Sequence, residues 1–165
     1  MAQTRSLKAA ALVAVTAATS MLLVQACGGG ASAHATDADA VEGQWEALIT
    51  VRDCTTGATI LVARGQQVLH RGGTLTDTNA SPPTTRGVGF GTWRRDGAGA
   101  GYTARFRFNR YNPDGSFAGT QRVTRMFTLS ADGNTQTSTN TSQTLDAAGA
   151  LLQSGCAGDV STRVP

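Results

Sequence analysis

From Val41 onward, apolar and polar residues alternate with a period of two. Tyr102, Ala104, Phe106 and Phe108 interleave with Thr103, Arg105, Arg107 and Asn109, which puts the apolar set on one face of an extended strand. Val123, Phe127 and Leu129 repeat the pattern, with Arg125 falling on the same side. Trp45, Ala47, Ile49 and Val51 oppose Gln44, Glu46, Thr50 and Arg52, and Leu48 interrupts the alternation. Further strands are predicted over 66–78, 87–95, 135–144, 150–154 and 157–164. The stretch 135–144 is almost wholly Thr, Ser, Asn and Gln, so weak burial is expected on both of its faces. No segment carries a helical stripe.

The breaks between these runs have turn chemistry. Asp96-Gly97, Asp114-Gly115 and Asp132-Gly133 are hairpin signals because their second residue tolerates positive φ. Asp146-Ala147-Ala148-Gly149 reads as a slightly longer hairpin. The pattern therefore predicts an all-β domain, an antiparallel meander of about eight strands. Such a meander leaves two unpaired edges unless it closes, so an up-and-down barrel is preferred over an open sandwich.

The first forty residues differ in kind. Arg5 and Lys8 precede an uncharged run rich in Ala, Val and Leu, which ends in Leu23-Val24-Gln25-Ala26-Cys27. This segment resembles the lipobox of bacterial lipoproteins. The resemblance implies cleavage before Cys27, diacylation of that cysteine, and a stable membrane anchor from its acyl chains. An ordinary secretory signal is the alternative. With Gly28 after the cysteine, the likeness implies a Gram-negative outer membrane, with the protein facing the periplasm. The expected organisation is a signal peptide over 1–26, a tether of small and polar residues over 27–40, and one domain over 41–165.

Export changes the charge balance. Of 14 basic residues, Arg5 and Lys8 leave with the signal, so 12 face 11 acidic ones. A near-neutral domain has no compositional support for nucleic-acid binding. Export also places Cys54 and Cys156 in an oxidising compartment as an even pair, so a disulfide is expected between the end of the first strand and the last part of the chain. Metal ligation by the two cysteines is the alternative, but no histidine lies near them in sequence to complete a ligand set.

Gly43-Gln44-Trp45 at the start of the first strand, with Arg163 near the C-terminus, resembles the signature of the lipocalins and the wider calycin group. The domain is also similar to small calycin-like lipoproteins of Gram-negative bacteria. The resemblance implies that Trp45 packs at one end of the barrel and that Arg163 covers its indole, closing that end. The Thr-Asp-Tyr type segment of lipocalins is absent.

No catalytic constellation is recognisable, and neither an enzyme nor a cofactor is expected. His34 falls in the tether, and His70 lies on a predicted strand without a nucleophile or carboxylate at a recognisable spacing. The glycines of 87–91 have no helix after them to receive a phosphate; strong bending, or close approach of another side chain such as the ring of Trp93 or Trp45, explains them better. Two functions remain. The aromatic residues can fill so small a barrel, which favours an interaction module that presents its surface to an envelope protein. The segment 79–86 and the face of Arg105 and Arg107 are then the candidate surfaces. Otherwise the barrel mouth accepts a small apolar ligand, with Arg125 as the candidate ligand-orienting group.

Overall fold

The structure, a computed structural model, describes residues 39–97, 99 and 101–165. Eight antiparallel strands, β1 (Gly43–Arg52), β2 (Thr59–Leu69), β3 (Thr74–Asn79), β4 (Gly89–Arg95), β5 (Gly101–Tyr111), β6 (Phe117–Leu129), β7 (Thr135–Leu145) and β8 (Leu151–Arg163), follow one another around a closed barrel. Closure comes from β1 pairing with β8, in register from Trp45 opposite Arg163 to Arg52 opposite Cys156. Pairing with β3 covers only Gly65–Leu69 of β2, so Thr59–Arg64 is laddered to β1 alone.

The four predicted aspartate-led turns connect β4 to β8 in succession. Gly97, Gly115, Gly133 and Gly149 have φ of +61°, +83°, +74° and +88°, a conformation that costs a glycine little. The aspartates complete the turns from their side chains. Asp114 accepts the Ser116 amide at 2.9 Å, Asp132 the Asn134 amide at 3.1 Å, and Asp146 the amides of Ala148 and Ala150.

Three predicted elements are redrawn, and the changes cancel in the strand count. The stretch 66–78 is a hairpin: β2 ends at Leu69, the chain turns through Gly72 and Gly73 at φ near +86°, and β3 begins at Thr74. Conversely, 150–154 and 157–164 form one continuous strand, β8, because Gly155 and Cys156 keep their pairing to β7. Leu48 does not break the alternation of β1, since it faces outward opposite Val160 and is half exposed. The stretch 135–144 is likewise not shallow on both faces, because Gln136 and Ser138 are buried inside the barrel.

The glycines of β4 serve a close approach, but not to tryptophan. A Cβ on Gly91 would lie 2.0 Å from the Arg105 carbonyl oxygen and 2.6 Å from Phe106 Cβ, and one on Gly89 would press on Asp77 and Phe106. Side-chain-free residues let β5 and Phe106 pack inward against β4.

Candidate functional site

One end of the barrel is plugged. Val41, Trp45, Leu69, Leu75, Trp93, Tyr102, Ala104 and Phe127 form the apolar core there. Trp45 is fully buried and its indole N–H donates to the Val41 carbonyl at 2.9 Å, so its polar edge is satisfied. The Arg163 guanidinium lies 4.3 Å over the Trp45 ring. It donates to the carbonyls of Gly133 at 2.9 Å, Glu42 at 2.8 Å and Ala40. Gly43 lies against the Arg163 guanidinium, with φ of +127°, and a Cβ there would come within 3.0 Å of Arg163 Nη1. Asp39 adds a clasp, accepting two bonds from Arg95 and one from the Tyr102 hydroxyl at 2.8 Å. Burial and this bond to a carboxylate push the Tyr102 phenol up to about 12. Asp39 and Ala40, expected in the tether, thus take part in the hydrogen bonds of the closed end.

Above the plug lies a belt of buried charge. Arg125 donates to both oxygens of Asp159 at 3.0 and 2.7 Å, to Gln136 at 2.9 Å and to Ser161 at 3.3 Å, and stacks 4.2 Å over Phe127. Asp159 also accepts from Ser138 and from Asn140, the latter at 2.8 Å. Burial alone would raise the Asp159 carboxyl, but the hydrogen bonds and charge of Arg125, with Asn140 and Ser138, outweigh it and hold the group down at about 2. Across the barrel, Asp77 of β3 pairs with Arg86 from the loop over 80–88, and Gln67 donates to Asp77 at 3.4 Å. Here burial outweighs the charge of Arg86 and its hydrogen bond, and the Asp77 carboxyl sits above its ordinary value. Arg86 also lies 3.8 Å over the Phe108 ring.

Between this belt and the far turns is a cavity of about 300 Å³. Ile49, Val51, Leu61 and Ala63 line one wall, and Phe106, Phe108 and Val123 another. The expectation that aromatic residues fill the barrel is therefore corrected. Phe127, Tyr102 and the two tryptophans crowd one end, Phe106 and Phe108 line the cavity, and Phe90 points outward, 64% exposed. A separate groove of about 460 Å³ lies on the outer wall, among the outward residues Glu46, Leu48, Arg64, Gln66 and Val160. It is bordered by one side of the sheet rather than enclosed by it.

The other predicted residues fall as follows. Cys54 and Cys156 are bonded at a Cα–Cα distance of 5.2 Å, tying the turn after β1 to β8 near the open mouth. Arg125 is at the cavity floor, with four of its five N–H bonds engaged by protein groups. Arg105 and Arg107 are exposed on the outer face of β5. His70 is exposed, with a ring nitrogen 3.0 Å from the Thr76 hydroxyl. Cys27 and His34 lie outside the described residues. Among the described residues, no three His, Cys, Asp or Glu side chains come together as a metal site.

Sequence reasoning does not single out Asp77 or Asp159, and it places Arg86 only in the candidate surface segment 79–86, whereas the structure turns that side chain into the cavity. Asp159 had a readable signal, since it shares the inward parity of Ala157 and Ser161 on the last strand. Asp77 shares the inward side of Leu75, two residues before it on β3. Arg86 reaches inward from a loop and left no periodic trace. No protein-family model, curated protein or solved structure matches the chain.

Proposed function

We propose that this is a lipid-anchored envelope protein whose barrel takes up a small, mostly apolar molecule through its open mouth. The observation that carries the reading is the 300 Å³ cavity, apolar in its upper walls and polar at its floor, a size and make-up suited to a small ligand. The plugged end under Trp45 and Arg163 leaves the opposite mouth as the entrance. This arrangement also supports the likeness to calycins. Exposed Ile60, Leu61, Phe117, Leu151 and Leu152, on the strand ends that flank the turns at that mouth, offer an apolar approach to it.

Binding is tested with N-phenyl-1-naphthylamine, an uncharged probe that fluoresces in apolar surroundings. Its titration into the exported protein should saturate at one probe per barrel, and Val123→Trp, which fills the cavity, should abolish the signal while leaving the β-sheet circular dichroism intact. Unsaturable fluorescence, or an undiminished signal from Val123→Trp, would refute the proposal. The anchor has its own test. Cys27→Ser should move the protein from the membrane fraction to the soluble periplasmic fraction, and tight membrane retention of that variant would overturn the assignment.

A second reading, docking of an envelope protein, draws support from the outer face of β5 and β6. Arg107 and Arg122 stand directly opposite one another there, beside Arg105, and among the described residues none of the three forms a salt bridge.

A further inference from the structure

The charged side chains that line the cavity are Asp77, Arg86, Arg125 and Asp159, and they are already matched in two pairs. Arg86 and Asp77 are about 8% and 9% exposed in their side chains, and Arg125 and Asp159 about 3% and 4%. A ligand carboxylate reaching this floor would meet two arginines whose charge is spent and two carboxylates that repel it. A ligand ammonium would meet the mirror image. Either would be buried without a counter-charge, which is strongly unfavourable, whereas an uncharged polar group needs only hydrogen bonds.

The floor also has hydrogen-bonding capacity of both kinds to spare. Arg86 Nε is a buried donor and Asn140 Oδ1 a buried acceptor, and neither has a partner among the described residues. A hydroxyl or amide both donates and accepts. A carboxylate only accepts, and an ammonium only donates.

From this juxtaposition of two self-neutralised ion pairs beneath apolar walls, we infer that the barrel selects amphiphiles with an uncharged polar head, such as a long-chain alcohol or primary amide, over fatty acids and alkylamines. The inference rests on the cavity-binding reading and names its ligand class. Asp77 is the residue that sets the selection against anions, because it silences the one arginine brought to the cavity by a loop.

The test displaces N-phenyl-1-naphthylamine from the exported protein at neutral pH with decanol, decanamide, decanoate and decylamine, which share a chain length and differ at the head. The uncharged pair should compete at concentrations about tenfold lower than the charged pair, a gap of about 1.4 kcal/mol. Because an alcohol also partitions more readily than a carboxylate, the ranking is repeated in Asp77→Asn, which leaves Arg86 without its carboxylate. Decanoate should then gain about tenfold relative to decanol. In Arg86→Gln, decylamine should gain instead, and the double variant should return to the wild-type order. Equal or tighter decanoate binding by the wild type, or an unchanged ranking in a folded Asp77→Asn, would overturn the inference while leaving cavity binding in place. If binding of the probe itself proves unsaturable, the cavity reading fails and the inference with it. Should Asp77→Asn not fold, the wild-type ranking and Arg86→Gln still decide.

Discussion

Trp45→Ala should lower the stability of the barrel by about 3–5 kcal/mol, because a fully buried indole leaves a cavity that the surrounding sheet cannot collapse to fill. For a domain of this length that is a fall in the melting midpoint of roughly 15 °C, read by far-ultraviolet circular dichroism. The loss is compounded, since the indole N–H bond to Val41 and the platform beneath Arg163 disappear together. Arg163→Ala should cost less, about 1–3 kcal/mol, because its side chain is partly exposed and the carbonyls it leaves can turn to water. The two effects should not add, because both remove the same stack. A melting midpoint within a few degrees of wild type for Trp45→Ala would contradict the sealed end.

Arg125→Met, alone, should destabilise the domain by about 3–5 kcal/mol, because it strands the Asp159 carboxylate, which is then buried without a cation. Adding Asp159→Leu should recover a large part of that loss, since an apolar pair of similar size needs no desolvated charge. A double variant as unstable as the sum of the two single ones would show that the pair is not acting as a unit. The same pair sets an acid limit. Asp159 ionises at about 2 in the folded chain against 3.8 when unfolded, so its contribution of about 2 kcal/mol is complete above the unfolded value and lost as pH falls through the folded one. Asp77 has the opposite sign. Its raised folded value means that ionised Asp77 costs stability at neutral pH, and that cost is relieved as pH falls through the folded value toward 3.8. Denaturant midpoints measured down the acid range should therefore fall steeply in the wild type at the lowest pH, and less steeply in Asp159→Asn.

The class of fold, the four aspartate-led hairpins and the faces of the strands built from bulky residues are legible along the chain. Each of these depends on neighbours along the chain: an Asp-Gly step selects its own turn, and period two selects its own face. The residues Gly43, Trp45 and Arg163, and the cysteine pair, were also legible, through a resemblance in one case and an even thiol count in the other. Where the interior is filled and where it is open is set by contacts between strands. Phe90 and Phe106 are both aromatic and lie on neighbouring strands, yet Gly89 and Gly91 set the parity of β4, which turns Phe90 to solvent and lets Phe106 inward. The polar run of β7 predicts weak burial on both faces because its residues are small and hydrophilic. Gln136 and Ser138 on its inward face are nevertheless buried, because closure brings Arg125 and Asp159, 34 residues apart, within 2.7 Å, and Ser138, Asn140 and Gln136 are the partners that make burying those charges tolerable. Hydrogen-bond complementarity of that kind is a relation between strands, and no local period along one strand encodes it.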